Sequence, residues 1–435
     1  MLFAIIVAII VAIIVIVLFL VGSALWWYRP KWLQRIVCYV YGVRRSGEPQ
    51  SCKHVLACKS PNEGGPTNSF TTVESRAIPN QRLVDAFGID NSFTTTDNVY
   101  RQAFRAIAQG KLSSIKEEEW KRIADMALEL VRNKTERVEH TNGAIPLVPF
   151  VQSMTLSISL YVLFRIEPLS LKEKTVVDIA QLINELWIAS KGFYLRVFLA
   201  RKKEKLQEAL GKIDRTFTFT AKRTPMNLIL PAYETMWRVV LHCFLEVAFR
   251  DNNTAPEWRG LLQAYLETPT SSKFTEIASS QDAVSVSHIV NEALRLYPPT
   301  SRVYRRFKLN GWQEAFAADI EQFQRGEEWG PDSKLFEPSR WNKKRKEDDL
   351  PFMPFGAPPF ACPAKDGFGP RMVGTLVAAL ASRISSEDWT IGDNDESRAN
   401  FGSPKMPLES GRGAFGSLEL WKKPVRPPGQ QVTKL

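Results

Sequence analysis

Phe355-Gly356-Ala357-Pro358-Pro359-Phe360-Ala361-Cys362-Pro363-Ala364 is the stretch on which the reading of this 435-residue chain turns. Its composition is that of a loop, with one cysteine near the end. Gly367, Gly369 and Pro370 follow, and then a helix-like run from Arg371. A loop that leads into a helix amino terminus meets the positive end of the helix dipole, which favours an anion. A sulfur placed there is favoured as thiolate, the form that ligates metal, over a free thiol of pKa about 8.5. Taken alone, a cysteine in a Pro-rich loop is more often structural than catalytic, so the decision rests on the rest of the chain.

Upstream of Cys362 by 67 residues lies Arg295, within Glu292-Ala293-Leu294-Arg295-Leu296-Tyr297-Pro298-Pro299. Glu292 and Arg295 are three apart and share a helix face, where carboxylate and guanidinium pair. Between this pair and the cysteine stands Phe336-Glu337-Pro338-Ser339-Arg340-Trp341. Further upstream, Leu228-Ile229-Leu230-Pro231-Ala232-Tyr233-Glu234-Thr235 sets an acid and an alcohol side by side after a proline. Proline has no N–H to give the carbonyl four residues earlier, so Pro231 is expected to open the helix at Asn227, where an opened turn can hold water.

In this order, over roughly Pro231 to Ala381, these segments resemble the cytochrome P450 family. The resemblance implies a mainly α fold with small β-sheets, forming a single large haem domain. It makes Cys362 the axial ligand of the iron of haem b, with Phe355 in the place where the family has phenylalanine seven residues before the cysteine. Thiolate ligation pushes electron density onto iron and favours O–O cleavage. By the same resemblance Glu292, Arg295 and Arg340 pin the core behind the loop, and Glu234 and Thr235 relay protons to bound oxygen. The competing reading of Glu234 and Thr235 is an ordinary polar face of a core helix. Three places depart from the family: Pro358 and Ala364 stand for glycines, and Phe360 for a basic residue. The last removes a haem-propionate contact, leaving Arg101, Arg105 or Arg302 to supply the charge.

From Met1 to Tyr28 there is no charged residue, and the run from Leu2 to Leu20 is almost wholly aliphatic. That is the length a membrane-spanning helix needs, about 20 residues. A cleavable signal peptide would want a positive start and a shorter apolar run. Arg29, Lys31, Arg35, Arg44 and Arg45 follow the segment, which by the positive-inside rule leaves the remainder in the cytosol. The second apolar run, Leu147 to Phe164, is interrupted by Pro149 and several serines, and fits a buried core helix better than a span. The expected organisation is therefore an anchor over 1–28, an irregular linker over 29–80 and a haem-thiolate domain over 81–435. The resemblance adds the endoplasmic-reticulum membrane as its place.

The five cysteines are odd in number and irregularly spaced, so they form no disulfide framework, and Cys52, His54 and Cys58 lack a fourth zinc ligand nearby. A net charge of +11 fits a nucleic acid, a membrane surface or an acidic partner. No nucleic-acid module is present. The Lys343, Lys344, Arg345, Lys346 run is either a solvated charge run or a docking face for an acidic flavoprotein. The resemblance implies NADPH-cytochrome P450 reductase, with cytochrome b5 as a second donor, membrane lipid, and a hydrophobic small-molecule substrate.

Helical patterns run through 174–190, 193–212, 226–250, 257–267, 282–297 and 371–384, and a Ser114/Glu117 capping-box signature precedes the stripe Ile115, Trp120, Ile123, Ala127, Leu130. Strands are expected near Phe217 to Thr220 and Phe415 to Trp421. Three functions remain open: a monooxygenase, a thiolate-haem isomerase or dehydratase, and a non-catalytic scaffold. The Asn91 to Asp97 stretch and the Pro338 to Trp341 segment look like fungal members of secondary metabolism.

Overall fold

Thirteen α-helices, three short 3-10 helices and six strands lie in the described part of the computed structural model, residues 42–59, 68–141, 143–192, 196–250, 255–278, 283–342, 352–392 and 405–424. The expected anchor over 1–28 and the basic run at 343–346 lie outside these residues. In chain order the elements are β1 (Val43–Ser46), α1 (Pro49–Leu56), α2 (Thr72–Phe87), α3 (Asn98–Ser113), α4 (Glu119–Thr141), β2 (Ala144–Pro146), α5 (Leu147–Phe164), α6 (Glu173–Ala189) and α7 (Arg196–Ile213). Then come α8 (Met226–Ala248), α9 (Ala255–Glu267), α10 (Ser271–Thr275), α11 (Val286–Leu296), β3 (Arg302–Leu309), β4 (Trp312–Asp319), α12 (Ile320–Gln324), α13 (Phe368–Ala381), β5 (Trp389–Ile391) and β6 (Glu419–Lys422). The mainly α fold with small sheets is the one the motifs implied.

Helix α8 is the axis of the main core. It packs on α5 and α13 and buries Tyr233, Trp237, Val240, Phe244 and Val247. Helix α5 is apolar all round because it is covered all round, and its serines turn back on its own backbone: Ser153 donates to the Phe150 carbonyl at 2.9 Å and Ser159 to that of Thr155 at 2.7 Å. The apolar run at 147–164 is thus a core helix, as its composition suggested. Helix α13 approaches α11 closely because Gly374 has no Cβ; one there would stand 3.0 Å from the Phe274 ring and 3.2 Å from Val286.

One three-stranded sheet has the order β1-β4-β3, with β1 parallel to β4 and β3 antiparallel to it; the other has the order β2-β6-β5, all antiparallel. The β3–β4 hairpin turns at Asn310 and Gly311, both at positive φ (+49° and +84°), as a two-residue type I′ turn demands.

Four details differ from the sequence reading. Within the stretch read as linker, β1 finds its partner in β4, more than 250 residues later, and α1 is capped by Glu48, whose carboxylate accepts from the Gln50 N–H. The segment at 217–220 forms no strand, because Phe217 is drawn edge-on against Phe164 at 5.1 Å. Near the carboxyl end the strand is shorter, starting at Glu419. The Ser114/Glu117 capping box does not form: Ser114 ends α3, and Glu117 pairs with Arg371 at 2.8 Å instead.

Candidate functional site

A buried carboxylate organises the site from behind. Glu292, on α11, accepts five hydrogen bonds: from Arg295 Nη2 at 2.7 Å, Arg340 Nε at 2.8 Å and the Glu337 N–H at 2.9 Å on one oxygen, and from Arg295 Nε at 2.9 Å and Trp341 Nε1 at 3.1 Å on the other. Glu292 and Arg295 are wholly buried, and Arg295 spends its remaining donors on the carbonyls of Gln324, Ser333 and Leu335. Such a charge network is rigid because every polar atom has a partner and none can leave without stranding another. The expected meeting of Glu292, Arg295 and Arg340 is what the structure contains.

Gln324 transmits that rigidity to the cysteine loop. Its amide donates to the Leu294 and Arg295 carbonyls, and its Oε1 accepts from the Met353 N–H at 2.8 Å. The loop then folds on itself: Gly356 N–H donates to Met353 O at 3.0 Å and Cys362 N–H to Phe355 O at 2.9 Å. Gly356 takes φ +72°, a region that favours glycine. Gly369, in the first turn of α13, lets that helix touch the loop, since a Cβ would sit 2.8 Å from the Ala364 carbonyl and 3.1 Å from the Phe355 ring. Burial pushes the Cys362 thiol up, while a bond from the Ala364 N–H and the nearby charges of Arg76 and Arg105 pull it down.

Around this loop the structure gathers cations. Arg76 of α2 lies 4.5 Å from the Phe360 ring centroid, Arg101 of α3 5.4 Å and Arg305 of β3 5.5 Å. Arg305 is buried with its Nε unpartnered, and burial together with Arg305 and Arg101 lowers the Arg76 guanidinium to about 9. Among the described residues no carboxylate pairs with Arg76, Arg101, Arg105 or Arg305, an arrangement that repels itself unless a polyanion sits among them. The two propionates of a haem are such a polyanion, so the donor set fits the implied cofactor: a cysteine sulfur, an N–H that bonds to it, and arginines without carboxylate partners at the edge. Of the arginines expected to supply this charge, Arg101 and Arg105 come to the loop, whereas Arg302 turns to Asp319 at 2.7 Å. Arg76 and Arg305 were missed. Arg305 was legible in the alternation of residues 302–309 ahead of an Asn-Gly turn; Arg76 carried no signal, being one arginine in an ordinary helix.

On α8 the acid and the alcohol point different ways, adjacent residues being 100° apart around a helix. Glu234 is buried and pairs with Arg412, while Thr235 donates to the Pro231 carbonyl at 2.9 Å. Pro231 does free the Asn227 carbonyl, but a side chain takes it: Asn91 Nδ2 donates to it at 3.1 Å. A surface cleft of about 810 Å³ is lined by Gln322, Arg325, Gly330 and Lys334, and one of about 160 Å³ by residues of α4, α5 and α6. Neither is lined by the Cys362 loop, which is recognised by its donors and charge.

No family model matches the chain. It is 30% identical over 145 residues to cytochrome P450 3A17 of Cavia porcellus, which covers 31% of this chain and 28% of the relative. To cytochrome P450 3A14 of the same animal it is 38% identical over 84 residues, 17% of each. The chain therefore matches less than a third of the length of these curated relatives. In three dimensions it is similar to a 6-coordinated cytochrome P450 from Thermus thermophilus, with TM-score 0.55, 15% identity, and 87% of this chain and 92% of that one covered. A second such structure, CYP175A1 from another strain of that species, superposes with TM-score 0.55 at 14% identity over 87% of this chain and 89% of its own.

Proposed function

We propose that this chain, whose fold is that of the cytochromes P450, is a membrane-anchored haem-thiolate monooxygenase acting on a hydrophobic small molecule. The observation that carries the reading is the Cys362 sulfur, met by the Ala364 N–H, beside arginines with no carboxylate of their own. Bound there, haem b supplies oxygen activation, which thiolate ligation favours. Cys362 would ligate the iron, with Phe355 beside it, and Arg76, Arg101, Arg105 and Arg305 would hold the propionates. Thr235 must leave the Pro231 carbonyl to pass a proton, a single rotation about its Cα–Cβ bond, and Glu234 shares the relay from its place beside Arg412. Glu292, Arg295 and Arg340 fix the loop without touching the reacting atoms.

The uncharged residues 1–28 support an anchor in the endoplasmic-reticulum membrane with the catalytic domain cytosolic. Electrons come from NADPH-cytochrome P450 reductase, with cytochrome b5 as a second donor, and the product belongs to secondary metabolism. A second reading keeps the haem but omits oxygen activation, giving an isomerase or dehydratase; the closed Thr235 and the paired Glu234 favour it. Co-expression with the reductase and product analysis over a metabolite panel separates them. Turnover that stops without NADPH or O2, and in Cys362→Ala, supports the monooxygenase. Product formed without either would establish the second reading.

A further inference from the structure

Away from the cysteine loop, a second set of cations surrounds the acid of α8. Arg82 of α2, Lys191 just past α6, Arg238 one turn beyond Glu234, and Arg412 from the segment before β6 bear on one another electrostatically. Trp187 lies between them: the guanidinium carbons of Arg82 and Arg412 are each 4.9 Å from its ring centroid, and the Lys191 ammonium is 5.8 Å away. Lys191 as a residue is open to solvent, yet its ammonium end is crowded; burial first, then Arg412, Arg82 and Arg238, lower it to about 8.

Against these four cations stands the carboxylate of Glu234, which pairs with Arg412 and bears on Lys191 and Arg238. The next carboxylate, Glu321, is committed to Arg325 at 2.6 Å and to the Ser410 hydroxyl. Neutral partners absorb part of the remainder: Ser190 for Arg82 at 2.5 Å, Asn184 for Arg412 at 2.9 Å, and the Ser410 carbonyl for Arg238. Three donors are left over and buried, namely Arg238 Nε, Arg412 Nε and Trp187 Nε1. Buried donors without acceptors, in a group with three surplus positive charges, are costly unless a ligand completes them.

We propose that this cluster receives a carboxylate at one end of the substrate, so that the hydrophobic molecule is an amphipathic acid. The inference rests on the monooxygenase reading, because Glu234 ties the cluster to the helix that bears Thr235. Planar guanidinium groups match a carboxylate bidentately, and the Trp187 ring under Arg82 and Arg412 holds those groups in place.

Calorimetric titration of the full-length, haem-loaded protein with dodecanoate and with dodecanol provides the test. Dodecanoate should bind at least about tenfold more tightly, one or two charge-assisted hydrogen bonds being worth that factor. Arg82→Gln and Lys191→Met, neither of which strands Glu234, should erase the preference and leave dodecanol binding unchanged. Equal affinity for the two ligands, no binding of dodecanoate, or a preference untouched in Arg82→Gln would overturn the proposal. The two readings fail separately: loss of the anion preference with the haem spectrum intact removes only the inference, whereas a carboxylate preference in a chain that takes up no haem removes only the oxygenase.

Discussion

Replacing Glu292 by glutamine changes one oxygen to an amide nitrogen and removes one charge. Five donors converge on that carboxylate, and Arg295 is wholly buried and Arg340 nearly so. The new NH2 must face at least two N–H groups whichever way the amide turns, and Arg295 loses its counter-charge while Arg340 keeps only Asp332 at 3.1 Å. Breaking a buried pair by removing one partner costs about 3–5 kcal/mol, a large part of the roughly 5–15 kcal/mol that holds a domain folded. Urea unfolding followed by tryptophan fluorescence should show the midpoint falling by about 1 M. Haem content per polypeptide should fall with it, because Gln324 links this network to Met353 and the cysteine loop. A variant with an unchanged midpoint and full haem content would refute the argument that this carboxylate holds the loop in place.

Gly369→Ala forces a Cβ to within 2.8 Å of the Ala364 carbonyl, so α13 must recede from the loop at a cost of about 1–3 kcal/mol; weaker haem retention on dilution is the readout. Asn91→Ala strands the buried Asn227 carbonyl that Pro231 leaves free and should lower stability by roughly 1–3 kcal/mol, seen in thermal unfolding. Stability against pH carries two opposed contributions. Burial raises Glu246 to about 7, so the folded chain keeps that proton longer than the unfolded one and stability falls as pH rises from about 4.5 to 7. Burial lowers His242 to about 4, so the unfolded chain takes up the proton first and stability falls as pH drops from about 6.5 to 4. Glu246→Gln removes the first of these and keeps the second, so its stability should fall more steeply than the parent's between pH 6.5 and 4, by about 3 kcal/mol from His242. Denaturant midpoints across that range check it, and parallel profiles for the two proteins would contradict it.

The helices at 226–248 and 286–296 were legible because each carries an apolar stripe of helical period with a recognisable stop. The Glu292, Arg295 and Arg340 network was legible because motif order carried it, not because any one residue did. What escaped was nonlocal. Strand β1 has too few residues to show a period and exists only because β4 pairs with it. Glu117 reads as a cap until Arg371, 254 positions later, arrives to claim it. Arg76 and Arg305 are two among many arginines, and only the fold sets them around Phe360, with no carboxylate paired to either among the described residues. The Pro231 effect was foreseen in its cause and not in its resolution, since Asn91 lies 136 residues before the carbonyl it satisfies.

The most direct measurement is the absorption spectrum of the dithionite-reduced, CO-treated protein, expressed with haemin and purified in detergent, beside Cys362→Ala. The parent should show the red-shifted Soret band of a thiolate-ligated CO haem, and the variant should lose it. A correctly folded, colourless parent, or a band that survives the substitution, would contradict it.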